Sequence, residues 1–151
     1  MALFVKSSPI NANPELVFKF HERPDALSLL IPPWEKVTVQ LPPSSLKAGT
    51  QVILANRIGP LKLRWVAEHT LYDPPSMFID VQKSGPFHKW EHRHIILSDG
   101  QGGAILRDEV DYELPMGLIG RICAGWFVRS KIQKMFDFRH QVTKRFCETG
   151  A

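Results

Sequence analysis

From Trp34 to Glu113 the chain is a succession of short β-type runs, each stopped by turn residues. "EKVTVQL" is closed by Pro42-Pro43, "TQVILANRI" by Gly59-Pro60 and "LKLRWVAEHTLY" by Asp73-Pro74-Pro75. "MFIDVQKS" is closed by Gly85-Pro86, "FHKWEHRHIIL" by "SDGQGG" and "AILRDEVDYEL" by Pro115. Strand and turn signals repeated at this short spacing specify an antiparallel meander. The glycines of "SDGQGG" lack the spacing and the following helix of a phosphate loop, so they read as a hairpin turn.

The flanks complete the order. "ALFVKSSPI" alternates as a strand. "NPELVFKFHERPDALSLLIPPW" reads as two short helices. Asn13 caps the first with Pro14 at its first position, Pro24 starts the second, and Pro32-Pro33 end it. Gly117 to Phe146 has helical character. There Leu118, Ile119, Ile122, Cys123 and Trp126 share a broad apolar face, which Ile132 and Phe136 continue at its edge. Gly117, Gly120 and Gly125 each cost ~1 kcal/mol relative to alanine inside a helix. Their presence suggests close approach to the helix backbone or room left beside it. The expected fold is α+β: a seven-stranded curved antiparallel sheet wrapped around a long C-terminal helix, with two short helices between strands 1 and 2. Residues 1–151 form a single domain. A curved sheet and one helix close imperfectly, and the space between them is a natural ligand cavity.

Composition narrows the class. Apolar residues make up 44% of the 151 and charged ones 23%, a globular balance. No apolar run approaches the ~18 residues of a membrane span, and the start lacks the pattern of a signal peptide. A cytoplasmic protein without integral membrane association is expected. Residues 117–146 carry seven basic side chains against Asp137 alone, +6 of a total of +4. Such a face is ordinarily solvated, but it can also attract a partner or an anionic surface. Nucleic acid is not expected, since exposed aromatics do not interleave with the basic residues. One helix would hold Cys123 and Cys147 ~36 Å apart, which excludes a bridge between them. Cys123 reads as a small core residue, and His21 and His140 as surface residues.

The element order resembles the START-like, or helix-grip, fold of the SRPBCC superfamily. That superfamily includes lipid-transfer domains, polyketide cyclases, coenzyme Q-binding proteins and birch-pollen-allergen-like plant proteins. "FIDVQKSGPFHKWEHRH", and "LRDEVDYELPMGLIG" followed by "KIQKMFDFR", resemble a bacterial branch described as ligand-binding, cyclase-type or cell-division-inhibitor-like. The resemblance implies a domain that binds a hydrophobic or amphipathic small molecule. It does not name the molecule, because the fold is reused for many functions.

Alternation along the strands predicts which side chains face the cavity. Trp90, His92 and His94 oppose Lys89, Glu91 and Arg93. Asp108 and Tyr112 oppose Arg107, Glu109 and Asp111, and Trp65 and His69 oppose Arg64 and Glu68. On the fifth strand the family motif favours Phe78, Asp80 and Gln82 inward, whereas core logic favours Met77, Ile79 and Val81. The candidate ligand-binding residues are Trp65, His69, Trp90, His92, His94, Asp108 and Tyr112, with Trp126 from the helix. An Asp108–histidine hydrogen bond is expected, as a satisfied network or as ligand-orienting groups. His92 and His94 could share an ion with Asp108 or His69, but no third ligand is supplied locally, so no metal is expected. No cofactor is implied. There is no nucleophile elbow and no local nucleophile–base pair. Two alternatives stand beside ligand binding: an acid–base enzyme of cyclase or dehydratase type using His92, His94 or Asp108, and an interaction module using the basic helix. Catalytic residues and oligomeric state stay open.

Overall fold

The computed structural model describes residues 1–150. Strand β1 (Ala2–Ile10) leads into helices α1 (Pro14–Glu22) and α2 (Ala26–Leu29). Six strands follow: β2 (Val37–Leu41), β3 (Gln51–Ile58), β4 (Leu61–Asp73), β5 (Met77–Ser84), β6 (Lys89–Ser98) and β7 (Ala104–Glu113). Helix α3 (Gly117–Thr149) closes the described chain. All seven strands form one antiparallel sheet in the order β1-β7-β6-β5-β4-β3-β2. The meander is therefore sequential, and only β1 crosses over, to lie beside β7. This is the expected helix-grip architecture.

Local chemistry explains the boundaries. The Asn13 side chain accepts a hydrogen bond from the Leu16 amide at 2.8 Å, and Pro14 needs no partner for its missing N–H. Helix α2 starts at Ala26 behind Asp25, two residues later than Pro24 suggests. In the β5–β6 turn, Gln82 donates to the Phe87 carbonyl at 2.7 Å and accepts from its amide at 3.2 Å. A Cβ at Gly85 would collide with the Gln82 side chain, so glycine is what allows this lock. At the start of α3 a Cβ on Gly120 would collide with the Pro115 carbonyl, the close approach expected for such glycines. Gly125 has open space beside it and shows no such constraint.

Burial alternates along β6 from Lys89 to Leu97 and along the whole of β7. Outside, Arg93 binds Glu91, Glu109 and Asp111 at 2.7, 3.1 and 2.7 Å, and Arg107 binds Glu109 at 2.7 Å. Inside, two apolar clusters form. One joins α1 to the C-terminal end of α3 through Val17, Phe18, Phe78, Ile96, Leu106 and Val142. The other holds Phe4, Trp90, Val110, Tyr112, Ile132 and Phe136.

The packing face of α3 differs from the expected one. Ile132, Phe136, His140, Thr143 and Cys147 are buried, while Ala124 and Val128 pack at the margin of the second cluster. Every fourth residue back from Phe136 gives Ile132, Val128, Ala124 and Gly120, a stripe of decreasing size that the large aromatics of the sheet complement. The bulkier Leu118, Ile119, Ile122 and Trp126 lie on the solvent side, Trp126 at 84% exposure. Cys123 shares that exposed side and is not a core residue.

Candidate functional site

Asp108 lies opposite His94 across the β6–β7 ladder, and Asp80 lies opposite His92 across β5–β6. All four face inward, so the carboxylates reach the imidazoles along the diagonals. His92 Nε2 donates to Asp108 Oδ1 at 2.7 Å, and His94 Nε2 lies 2.8 Å from Asp80 Oδ2. The cross contacts close the square: His94 Nδ1 to Asp108 Oδ1 is 3.3 Å and His92 Nδ1 to Asp80 Oδ2 is 3.6 Å. The two imidazole centroids are 3.6 Å apart, and His94 stacks on Phe78 at 3.9 Å.

Helix α3 supplies a third histidine. His140 Nε2 donates to Asp108 Oδ2 at 2.7 Å, and its Nδ1 is 2.7 Å from Ser8 Oγ. His140 thus bridges a carboxylate on β7 and a hydroxyl on β1. From α1, His21 donates Nδ1–H to the Val17 carbonyl at 2.9 Å, with its ring 6.1 Å from that of His94. Both His21 and His140 are buried, contrary to the expectation that they lie on the surface. Their signal was helical phase: His140 is four residues from Phe136, and His21 four from Val17. For His140 the polar neighbours Arg139 and Gln141 masked it, and for His21 the shortness of α1 did.

The electrostatics follow from burial against pairing. Desolvation opposes the charge on His94, but hydrogen bonds to Asp108 and Asp80 outweigh it and raise its pKa. For His92 desolvation and the neighbouring His94 prevail over both carboxylates, and its pKa falls. His21 is pushed down to about 4, by desolvation first and the His94 charge second. Burial would raise both carboxyls. The His94 hydrogen bond and the nearby imidazoles instead bring Asp80 down to about 2, and the three histidine bonds hold Asp108 well below the usual carboxylate range. Arg139, with a buried Nε that has no hydrogen-bond partner, faces the same void and is held down by desolvation. That void measures about 10 Å³ and is lined by His21, His92, His94, Asp108, Arg139 and His140 among others.

The expected wall thus divides in two. His92, His94 and Asp108 meet at the polar centre, joined by Asp80, His140, His21 and Arg139. Trp65, Trp90 and Tyr112 form an aromatic end with Phe87, the Trp65–Trp90 centroids 5.1 Å apart. His69 is buried 6.1 Å from the Phe78 ring, and its Nδ1 has no hydrogen-bond partner. Phe78 and Asp80 face inward, the choice favoured by motif over core logic. Trp126 does not join the site, since it projects to solvent from the far side of α3. Between the β2–β3 end of the sheet and α3 opens a groove of about 370 Å³, lined by Trp34, Lys36, Arg57, Phe127, Lys131 and Lys134 among others. Among the described residues, one group of three side chains brings candidate metal-ligating atoms within 4.8 Å of one another: Asp80, His92 and His94. Asp80 on the neighbouring strand adds the third candidate donor that the local sequence lacks.

Residues 10–138 match the sequence family described as polyketide cyclase/dehydrase and lipid transport. No curated protein matches the sequence. A nucleoside-diphosphate sugar epimerase from Corynebacterium glutamicum is similar in structure, with 25% identity and a TM-score of 0.74. The match covers 94% of this chain but only 28% of the epimerase. A protein from Thermus thermophilus matches over 95% of both chains, with 18% identity and a TM-score of 0.73. A START superfamily protein from Mycobacterium smegmatis matches over 99% of both, with 15% identity and a TM-score of 0.69. The last two likenesses are of fold. Among the described residues, no helix is long and apolar enough to cross a membrane.

Proposed function

The chain belongs to the polyketide cyclase/dehydrase and lipid-transport family, a family of ligand-binding and cyclase-type domains, and on that premise we propose that it binds an amphipathic small molecule of lipid, quinone or polyketide-like type between the sheet and α3. The carrying observation is the buried polar centre. Two ionised carboxylates and three imidazoles occupy the sheet–helix interface, between two apolar clusters. A core built for packing alone gains nothing from desolvating such groups. They serve to orient the polar end of a ligand, while Trp65, Trp90 and Tyr112 cover its apolar part.

The enclosed void of about 10 Å³ is too small for such a molecule. The groove of about 370 Å³ lies within the size range of small-molecule sites, but its lining of Trp34, Lys36, Arg57, Phe127, Lys131 and Lys134 includes no residue of the polar centre or the aromatic end, so the ligand space of this reading has to open between α3 and the sheet. Ahead of Ile132, α3 packs against the second apolar cluster through Ala124 and Val128, small side chains that bury little apolar area. In this reading, outward movement of that stretch would open space beside Trp65, Trp90 and Tyr112. Native mass spectrometry of the purified protein, followed by titration with a fatty acid, a ubiquinone and an aromatic polyketide, tests the reading. One of them binds at one per chain and loses at least about tenfold in affinity in Trp90→Ala or His94→Gln. Absence of any bound or bindable molecule removes the reading.

A second reading rests on one specific observation. His94, raised, and His92, lowered, sit side by side between two carboxylates. Neighbouring groups whose pKa values are driven apart can act as acid and base. Turnover of a polyketide-like substrate, lost in a folded His94→Gln variant, would establish a cyclase or dehydratase. Binding without turnover, unaffected by that substitution, would dismiss it.

A further inference from the structure

We infer that Asp80, His92 and His94 form a binding site for one divalent transition-metal ion of the zinc class, with Asp108 as the carboxylate that orients both imidazoles. The inference goes beyond ligand binding and does not depend on it. Asp80 Oδ2 lies 2.8 Å from His94 Nε2 and 3.6 Å from His92 Nδ1. Ligand atoms around a tetrahedral zinc with bonds of about 2.0–2.2 Å stand about 3.3 Å apart. The observed spacings bracket that value, so small side-chain rotations suffice to seat an ion.

The surrounding hydrogen bonds favour the same arrangement. A carboxylate only accepts, so His92 Nε2, 2.7 Å from Asp108 Oδ1, carries the hydrogen. The Nδ1 of a neutral His92 then presents a lone pair towards Asp80 Oδ2, acceptor facing acceptor across 3.6 Å. A cation resolves that conflict. His94 Nδ1 is 3.3 Å from the same Asp108 oxygen, so on binding, the ion would displace the proton that His94 Nε2 shares with Asp80 at 2.8 Å and take its place. Asp108 is itself held by His140, which is held by Ser8, at 2.7 Å each. A carboxylate behind each ligating imidazole, itself fixed by further bonds, is the usual outer support of a histidine metal site.

The donor set selects the ion. Two imidazoles and one carboxylate suit zinc-class ions and leave a fourth position open. Calcium and magnesium require more oxygens, and no thiolate is present for a softer metal. Side-chain exposures of 19% for Asp80 and 11% for His94 leave the site in partial contact with solvent.

The test uses the whole chain, stripped with a chelator and then freed of it. Titration with Co²⁺ should give one ion per chain with the visible absorption of a four-coordinate site, and Zn²⁺ should displace it. Asp80→Asn, nearly isosteric and at the most exposed of the three positions, should lower affinity at least about tenfold. Asp108→Asn should weaken it by about 10–100-fold through loss of orientation. His88→Gln, at a histidine outside the polar centre, should change nothing. Independently of any variant, Co²⁺ should broaden the ring nitrogen resonances of His92 and His94 and spare that of His88. Absence of a stoichiometric spectrum, equal affinity in a folded Asp80→Asn protein, or broadening confined to His88 overturns the assignment.

Discussion

Asp108 ties the sheet to the C-terminal helix through three imidazoles. It accepts from His92 and His140 at 2.7 Å, lies 3.3 Å from His94, and is only 4% exposed. Removing one partner of a buried charged network leaves the others desolvated and unpaired, which costs about 3–5 kcal/mol. Asp108→Ala should therefore lose about that much in urea unfolding of the metal-free protein. Asp111→Ala offers the contrast. It sits three residues along on the outer face, and its bond to Arg93 is also 2.7 Å. Water and two further carboxylates serve Arg93 there, so the loss should stay below about 1 kcal/mol. Equal losses would mean that the network is not the structural centre its geometry suggests. Alternation on β6 and β7 made Asp108, His92 and His94 legible, because Glu91, Arg93, Arg107 and Glu109 mark the outward face beside them. His140 and Arg139 were not legible. They lie in a basic helix where charge density hides a single inward turn, and burial there depends on a carboxylate on a distant strand that no local pattern reveals.

At the scale of the element, α3 shows why apolar periodicity fixes a helix more readily than its packed face. Leu118, Ile119, Ile122 and Trp126 form the stronger apolar stripe, yet all are more than half exposed. The buried stripe begins at Gly120 and Ala124, residues that carry little hydrophobic signal. The sheet decides: Trp65, Phe87, Trp90 and Tyr112 already fill the interior at that end, so only small side chains fit opposite. Strand positions and helix positions were both readable from turn residues and caps. The rotation of α3 was not, because it depends on volumes contributed by strands far away in sequence. Two substitutions separate the faces. Phe136, fully buried with its ring 5.3 Å from Phe4 and 5.0 Å from His92, should cost about 3–5 kcal/mol when changed to alanine. Trp126→Ala should alter stability by no more than about 0.5 kcal/mol, despite removing the larger side chain. A large loss at Trp126 in thermal or urea unfolding would show that the apolar stripe is covered in solution.

For the whole molecule, these buried groups make acid the weak side of the stability curve. The sign follows from which state binds protons. His21 has a folded pKa of about 4 against 6.5 when unfolded. Between those values the unfolded chain takes up a proton that the folded chain refuses, so stability falls as pH falls. At about 1.4 kcal/mol per pH unit the complete effect is on the order of 3 kcal/mol. His92 and His69, lowered by desolvation, act in the same direction. Asp80 follows at lower pH, since its ionised form contributes stability that is complete above 3.8 and lost as pH falls towards about 2. His94 has the opposite sign. Its raised pKa contributes stability below 6.5 that disappears as pH rises through the folded value. Urea unfolding with a chelator present, at several pH values from about 7 down to 4, should show a falling free energy of unfolding in the wild type. His21→Leu should flatten the fall between about 6.5 and 4 by up to one proton's worth of slope and leave the remainder from His92 and His69. The leucine keeps apolar contact with Phe20 and Phe78, which the imidazole packs against at 5.4 and 5.6 Å. An unchanged slope in a folded His21→Leu protein would mean that the imidazole meets water in solution, and that α1 does not seal the polar centre.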